Sequence, residues 1–348
     1  MLTLLVSSLL LNTFAFFNLL GINSEYAFAQ LGFVFFSVLV FLAVKSLGLG
    51  FFKRNYKLFY WIFIFLLLLV FLIGDEVRGS KRWIDLYFLN FQPSEFFKII
   101  FIIFLSKFLS LYEEDLEKRN TFILSVIFLL IPFFIVFKQP DLGNALAYVA
   151  IFFSIILFSK VPKKFIINSL LILLIILPIG WNLLKGYQKE RIVSFFIETE
   201  NVQGSSYNVI QSKISVGSGK FLGRGLGYGT QSKLSFLPES HTDFAFSSLS
   251  EQFGFLGSFT VLFLFFLICL SLIKIILKLF LQRSTLNSFY LYYTVGFLSY
   301  LSFQIFVNIA MNLGSFPVAG VSLPMISYGG SSLSTYALGI ALLPFDKV

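Results

Sequence analysis

Between Ser284 and Phe345 the sequence carries no charged residue at all. Such a run cannot cover a water-facing surface, because an average soluble domain has about one charged residue in four. A bilayer core takes roughly 20 mostly apolar residues per helical crossing. The run therefore suffices for two crossings, and Asn312-Leu-Gly-Ser-Phe-Pro-Val-Ala-Gly320 divides it. Ten such apolar stretches occur along the chain, near 2–20, 27–45, 57–74, 93–112, 121–138, 142–159, 165–185, 243–273, 287–312 and 324–344. They lack period-two polarity, so helices rather than barrel strands are expected. The first stretch has no basic start and no small-x-small cleavage site, which makes it a retained span rather than a signal peptide. The expected fold is an all-α polytopic membrane protein: one membrane domain over 1–348, ten transmembrane helices, and a long extracytoplasmic loop at 186–242 between helices 7 and 8.

Composition closes other routes. With 57% hydrophobic and 12% charged residues, the chain is neither a soluble globular enzyme nor a disordered protein. The single cysteine, Cys269, allows no intrachain disulfide. The single histidine, His241, excludes metal sites built on several His or Cys but leaves carboxylate sites open. The net charge of +9 does not call for a nucleic-acid partner, since membrane proteins gather Lys and Arg in cytoplasmic loops. With a cytoplasmic N-terminus, the inner loops and tail hold 14 Lys and Arg; the short outer loops hold 4, namely Arg78, Lys81, Arg82 and Lys138. That bias puts both termini in the cytoplasm and the 186–242 loop outside.

A connection as long as 186–242 is uncommon in a compact protein and is usually functional or disordered. Its first part, Gln188-Lys-Glu-Arg-Ile-Val-Ser-Phe-Phe-Ile197, has an amphipathic helical pattern, with Phe195 and Phe196 dipping toward lipid. Tyr207-Asn-Val-Ile-Gln-Ser212 also reads as helix. Next comes Gly217-Ser-Gly-Lys-Phe-Leu-Gly-Arg-Gly-Leu-Gly-Tyr-Gly229. It is not a dinucleotide fingerprint, whose third glycine would fall at 222 rather than 223, nor a Walker loop, because Ile214 stands at that motif's first glycine and Phe221 follows the lysine. Two readings stay open: a flexible surface turn, or a nest of backbone N–H groups that holds an anion together with Lys220 and Arg224.

Leu237-Pro-Glu-Ser-His-Thr-Asp-Phe-Ala-Phe246 leads into the eighth stretch and puts Glu239, His241 and Asp243 at a membrane boundary. Asp243, at the first turn of the helix, reads as a cap, the commoner role, or as a general base. Glu251, two turns on, is an intramembrane carboxylate and so a functional candidate; an interhelix hydrogen bond is its structural alternative. Arg78-Gly-Ser-Lys-Arg-Trp-Ile-Asp85 is basic where outer loops are usually poor in Lys and Arg. It suits an anionic lipid-linked substrate or lipid headgroups, with Trp83 as interface anchor. Glu95 and Lys98, three apart on one helix face, are expected to pair as structural support. Asp141 opens the sixth stretch as cap or ligand. The small residues of Ser322-Leu-Pro-Met-Ile-Ser-Tyr-Gly-Gly-Ser-Ser332 permit close packing or leave room for a substrate.

Five motifs occur in one order: Trp83-Ile-Asp85, Gln92-Pro-Ser-Glu95-x-x-Lys98, Gln139-Pro-Asp-Leu-Gly143, Leu237-Pro-Glu-x-His-Thr-Asp-Phe244 and Ser327-Tyr-Gly-Gly-Ser-Ser332. Together they closely resemble the bacterial SEDS family (shape, elongation, division and sporulation) over nearly the whole chain. The resemblance implies a peptidoglycan glycosyltransferase that polymerises lipid II, an undecaprenyl-pyrophosphate-linked disaccharide-pentapeptide, on the outer face of the cytoplasmic membrane. It implies that Asp243 is the essential aspartate, and it carries over Glu95, Lys98 and Asp141 as matching residues. It also implies a class B penicillin-binding protein and other elongation-complex proteins as partners. The chemistry is coherent with this. A sugar hydroxyl attacking an anomeric carbon needs a base, Asp243. The departing pyrophosphate needs charge stabilisation more than a proton, and Lys81, Arg82, Lys213, Lys220, Arg224 and His241 are the expected substrate-binding groups. No nucleotide is required; a divalent cation, Mg or Mn, has room in the scheme.

The chain departs from the family at Glu251-Gln252, where many members have Glu-Glu, at Asn144 for the usual Thr, and at Ala245 for a common Ile. Phe316-Pro-Val-Ala-Gly320 resembles the elongation (RodA) type more than the division (FtsW) type. A lipid II flippase is the competing expectation. It needs charges at mid-span depth, whereas the notable acids here, Glu251 apart, gather at outer ends. A non-catalytic scaffold for a penicillin-binding protein is the third.

Overall fold

The structure, a computed structural model, describes residues 2–77, 80–86, 90–115, 119–183, 186, 189, 193, 195, 205–282 and 288–345. Arg78, Lys118, Arg283, Lys347 and most of the amphipathic stretch 188–197, Phe196 included, lie outside the described residues. Helices dominate: α1 (Leu2–Ile22), α2 (Ser24–Arg54), α3 (Tyr56–Ile73), α4 (Pro93–Leu111), α5 (Arg119–Lys138), α6 (Leu142–Phe158), α7 (Lys163–Leu183), α8 (Ser205–Ser218), α9 (Thr230–Lys233), α10 (Ala245–Leu281), α11 (Ser288–Asn312) and α12 (Gly330–Ala341). Among the described residues, α1, α2, α3, α5, α10 and α11 are long and apolar enough to cross a membrane. The surface of α3 illustrates the reason. Leu58, Trp61, Ile62, Phe65, Leu68 and Leu72 are exposed at helical spacing, while Tyr60, Ile64, Leu67 and Val70 are buried. A continuous exposed apolar stripe of this kind has lipid as its solvent.

Two features differ from the sequence expectation. The tenth stretch is helical only from Gly330 to Ala341. Before it the backbone is irregular, yet Val321, Leu323, Met325, Ile326 and Ser327 are buried, the setting in which non-helical backbone is tolerated in a membrane protein. The basic segment after α3 is also more than a loop: β1 (Asp75–Val77), β2 (Ser80–Asp85) and β3 (Asn90–Phe91) form a small antiparallel sheet with β2 in the middle.

The chain divides into two compact units. One comprises Met1–Val38, Lys185–Ser271 and Gln304–Tyr336; the other comprises Leu39–Leu184, Leu272–Phe303 and Ala337–Val348. In the first, Leu237, Phe244, Met311 and Val318 form a buried core with Val209 and Phe316 packed against it, which pins the entry to α10. In the second, α4 is central. Every residue from Pro93 to Ser106 is buried, as befits a helix that is apolar on all sides, and α3, α5 and α6 pack on it. Gly296 on α11 has no room for a side chain: a Cβ there would lie 2.7 Å from Ile155 Cδ1 and 2.8 Å from Ile102 Cγ2.

Candidate active site

In the first unit, α10 begins at Ala245, so Asp243 sits just ahead of it in a turn, partly exposed, while its neighbour Phe244 is buried in the core. The first helical turn thus starts slightly later than the sequence reading placed it. The chain around Asp243 is held by its main chain. The Asp243 carbonyl accepts from Nδ2 of Asn308 and from Nδ2 of Asn312, each at 3.0 Å. The Thr242 carbonyl accepts from Ser327 Oγ at 2.6 Å, and the His241 carbonyl accepts from the Tyr328 N–H at 2.8 Å. The Ser327-Tyr-Gly-Gly motif is therefore stitched directly to the His-Thr-Asp motif. Gln30, buried on α2, donates to the Ser327 carbonyl at 3.4 Å and accepts from the Gly329 N–H at 3.3 Å. The His241 ring stacks on Tyr26 with centroids 4.4 Å apart, and Tyr328 lies at 5.8 Å. Glu239 turns the chain with a φ of 54° and accepts from Thr242 Oγ1 at 2.7 Å. Tyr26, Gln30, Asn308 and Asn312 were not singled out as site residues from the sequence. Their only signal was polarity inside otherwise apolar runs.

Glu251 has a different setting. It is fully buried and accepts from the N–H groups of Gln231 (2.9 Å) and Ser232 (3.0 Å) and from Ser232 Oγ (2.9 Å), with Ser215 Oγ and Thr230 Oγ1 each at 3.4 Å. Its carboxylate ties α8 and α9 to α10. The glycine segment packs against the helix rather than forming a loose turn. At Gly254, α10 breaks, with φ 66° and ψ −162°. The freed Glu251 and Gln252 carbonyls accept from the N–H groups of Arg224 (2.9 Å) and Gly225 (3.1 Å), and the N–H groups of Phe255 and Leu256 donate to the Lys220 and Phe221 carbonyls at 2.9 and 3.2 Å. The loop replaces the helix's own ladder across the break. The Arg224 and Gly225 N–H groups are committed there. The contact is backbone on backbone: a Cβ at Gly219 would collide with the Ser250 carbonyl, and one at Gly223, whose φ is 85°, with that of Gln252.

The cations of this unit are dispersed. Lys213 is exposed on α8 and lies over Gly314. Lys220 is exposed. Arg224 donates to Thr230 Oγ1 at 3.2 Å and to the Ser218 carbonyl at 3.4 Å. Gln252, the departure from Glu-Glu, donates to the Asn18 carbonyl and to Asn18 Oδ1, both at 2.9 Å, and accepts from the Gly227 N–H at 3.1 Å. An ionised Glu could not make the donor half of that arrangement.

In the second unit, Asp141 caps α6: Oδ1 accepts from the Asn144 N–H at 3.3 Å. Oδ2 accepts from Asn144 Nδ2 at 2.8 Å and Gln92 Nε2 at 3.1 Å. Arg82, expected to grip a substrate, is engaged by the chain. It donates to the Gln139 carbonyl at 3.2 Å and to the Pro140 carbonyl, with its charge 3.9 Å from Asp141. Glu95 and Lys98 pair at 2.8 Å, both buried, and Lys98 Nζ lies 5.3 Å from the Tyr300 ring centroid. Lys81 stands on β2, partly exposed. Among the described residues, no group of three or more His, Cys, Asp or Glu is placed to hold a metal ion.

Residues 1–345 match the family model of FtsW, RodA and SpoVE, described as cell cycle proteins. A probable peptidoglycan glycosyltransferase FtsW from Buchnera aphidicola subsp. Baizongia pistaciae is 33% identical over 312 residues, covering 89% of this chain and 80% of that protein. The peptidoglycan glycosyltransferase MrdB of Escherichia coli (strain K12) is 34% identical over 285 residues, covering 82% of this chain and 75% of its own length. A solved structure from work on the structural coordination of polymerization and crosslinking by a peptidoglycan synthase complex aligns with a TM-score of 0.81 and 27% identity, covering 97% of this chain and 94% of that one. With apolar helices of membrane-crossing length and a family match along nearly its whole length, the chain is a bacterial inner-membrane protein that belongs to the FtsW/RodA/SpoVE, or SEDS, family.

Proposed function

We propose that the chain is a peptidoglycan glycosyltransferase that polymerises lipid II during cell elongation, with Asp243 as the general base. The observation that carries this reading is the setting of Asp243: partly exposed at the mouth of α10, with its main chain clamped by Asn308, Asn312 and the stitched Ser327-Tyr328 segment. The clamp fixes the Cα from which the carboxylate reaches an acceptor, the first requirement of positioned acid–base catalysis. The acceptor hydroxyl oxygen bonds to the anomeric carbon of the donor sugar. The bond from that carbon to the pyrophosphate oxygen breaks with its electron pair on the pyrophosphate, and the hydroxyl proton passes to Asp243.

Lys213, Lys220, Arg224 and His241 are assigned to substrate binding. In the other unit Lys81 takes that role, while Arg82, Asp141, Glu95 and Lys98 support the fold. The proposed chemistry takes no step through a cation, and a divalent ion, Mg or Mn, has room in it beside the pyrophosphate. The active face is extracytoplasmic, both termini are cytoplasmic, and the ten apolar stretches are ten spans of one membrane domain. The partner is a class B penicillin-binding protein, by analogy with the peptidoglycan synthase complex matched above. Similarity of 33% to an FtsW and 34% to MrdB does not separate the two types; Phe316-Pro-Val-Ala-Gly320 is the reason for choosing the elongation type. A flippase reading is weakened by Glu251, the deepest of the notable acids, whose carboxylate is occupied by α9 rather than lining a path.

The test is lipid II polymerisation by the purified protein with its penicillin-binding partner. Wild type is expected to make glycan strands from lipid II already on the outer side, and Asp243→Asn to make none while still forming the complex. Strand synthesis at the wild-type rate by Asp243→Asn would remove the base; flipping without polymerisation would favour the transporter.

A further inference from the structure

We infer that Asn312, helped by Asn308, is a positioning residue that holds Asp243 out of helix α10 by inserting its side-chain amide into the first helical turn. The inference rests on the reading of Asp243 as the base. In an unbroken helix the Ser247 N–H would bond to the carbonyl four residues back, that of Asp243. Here the Asn312 amide stands between them. Its Oδ1 accepts from the Ser247 N–H at 3.0 Å and from Ser247 Oγ at 2.7 Å, and its Nδ2 donates to the Asp243 carbonyl at 3.0 Å. The Ser247 N–H also reaches back only three residues, to the Phe244 carbonyl at 3.1 Å. The turn is opened by the width of one amide. Asp243 therefore starts no helical ladder and keeps its place in the preceding turn.

Asn312 is well fixed for this task. It is fully buried, and its Nδ2 also meets the Asn308 carbonyl at 2.8 Å. Its own carbonyl accepts from Ser212 Oγ at 2.6 Å. Asn308 donates to the same Asp243 carbonyl and to the Val321 carbonyl at 2.7 Å. Carbonyls face Nδ2 and hydrogen donors face Oδ1, so the orientation of the Asn312 amide is set from both sides. The position demands a donor and an acceptor on one short planar group, a combination that an ionised Asp lacks and a Gln carries one methylene further out.

The experiment uses the purified complex with its penicillin-binding partner, with kcat and KM measured on lipid II and thermal unfolding recorded for each variant. Asn312→Asp keeps the acceptor for Ser247 and loses the donor to Asp243; Asn308→Ala removes the second donor, together with its bonds to the Val321 carbonyl and Asn312 Nδ2, and serves as the test if Asn312→Asp does not fold. Since misplacing a reacting group by about 1 Å costs on the order of 100-fold, folded Asn312→Asp should lose roughly 10- to 100-fold in kcat with KM changed by less than about twofold. Asn308→Ala should lose less, in the same parameter. A purely structural role would lower the unfolding temperature but leave kcat per folded molecule unchanged. Folded variants with wild-type kcat, or with the whole loss in KM, overturn the inference. If Asp243→Asn is inactive and the Asn variants turn over normally, only the positioning claim fails. If Asp243→Asn turns over normally, the base reading fails and takes this inference with it.

Discussion

Glu251 and Asp243 sit two turns apart around the start of one helix, and the molecule treats them in opposite ways. Glu251 is fully buried, its carboxylate spent on the N–H groups of Gln231 and Ser232 and on nearby hydroxyls. Asp243 is partly exposed, and its main-chain carbonyl accepts from Asn308 and Asn312. The deeper acid was the stronger functional candidate by depth alone, because a carboxylate inside a membrane is costly. The buried carboxylate meets several donors, whereas the partly exposed one has its main chain clamped, the setting on which the proposed base rests.

The comparison can be broken or sharpened by substitution, beginning with the largest expected effect. Asp243→Asn should cut polymerisation by at least about 100-fold, the usual worth of a positioned base, with little change in thermal midpoint. Glu251→Leu should do the reverse. Several buried donors lose their acceptor at roughly 1 kcal/mol or more each, so about 3 kcal/mol of stability should go, read as a lower unfolding temperature in detergent. Glu251→Gln keeps an acceptor and should retain most activity per folded molecule; an inactive but folded Glu251→Gln would return that residue to the chemistry. Gly223→Ala meets both a positive φ and the Gln252 carbonyl. It should cost about 2 kcal/mol and expose the 217–229 segment to limited proteolysis. In the second unit Asp141→Ala removes the α6 cap together with the acceptor of the Asn144 and Gln92 amides, so about 2 kcal/mol of stability should go, read as a lower unfolding temperature.

Much of this was legible in residue order. The apolar runs foretold helices, including the 207–212 segment, which lies within α8. Spacing foretold the Glu95–Lys98 pair, met at 2.8 Å, and capping rules foretold Asp141 at the start of α6. The glycine segment was legible only as unusual. Its composition suits a loose turn or an anion nest, and neither composition nor period says that α10 breaks at Gly254 and presents free carbonyls to it. Sequence could not show that Arg82, read as a cation for a substrate, also meets the Gln139 and Pro140 carbonyls. Asn312 was legible only as the start of a dividing segment, and Asn308 not at all, because an Asn in an apolar run carries no pattern of its own.

Hydropathy and local motifs are short-range properties, governed by the transfer of side chains from water and by the backbone's own hydrogen-bonding period. The order of residues was therefore enough to determine a helical membrane protein, its family and its candidate base. Which polar group meets which partner is a long-range matter: a buried donor or acceptor takes whatever the fold brings within about 3 Å. Only the tertiary structure could decide that Glu251 fastens a loop, that the glycines close a broken helix, and that an amide from α11 enters the first turn of α10 beside Asp243.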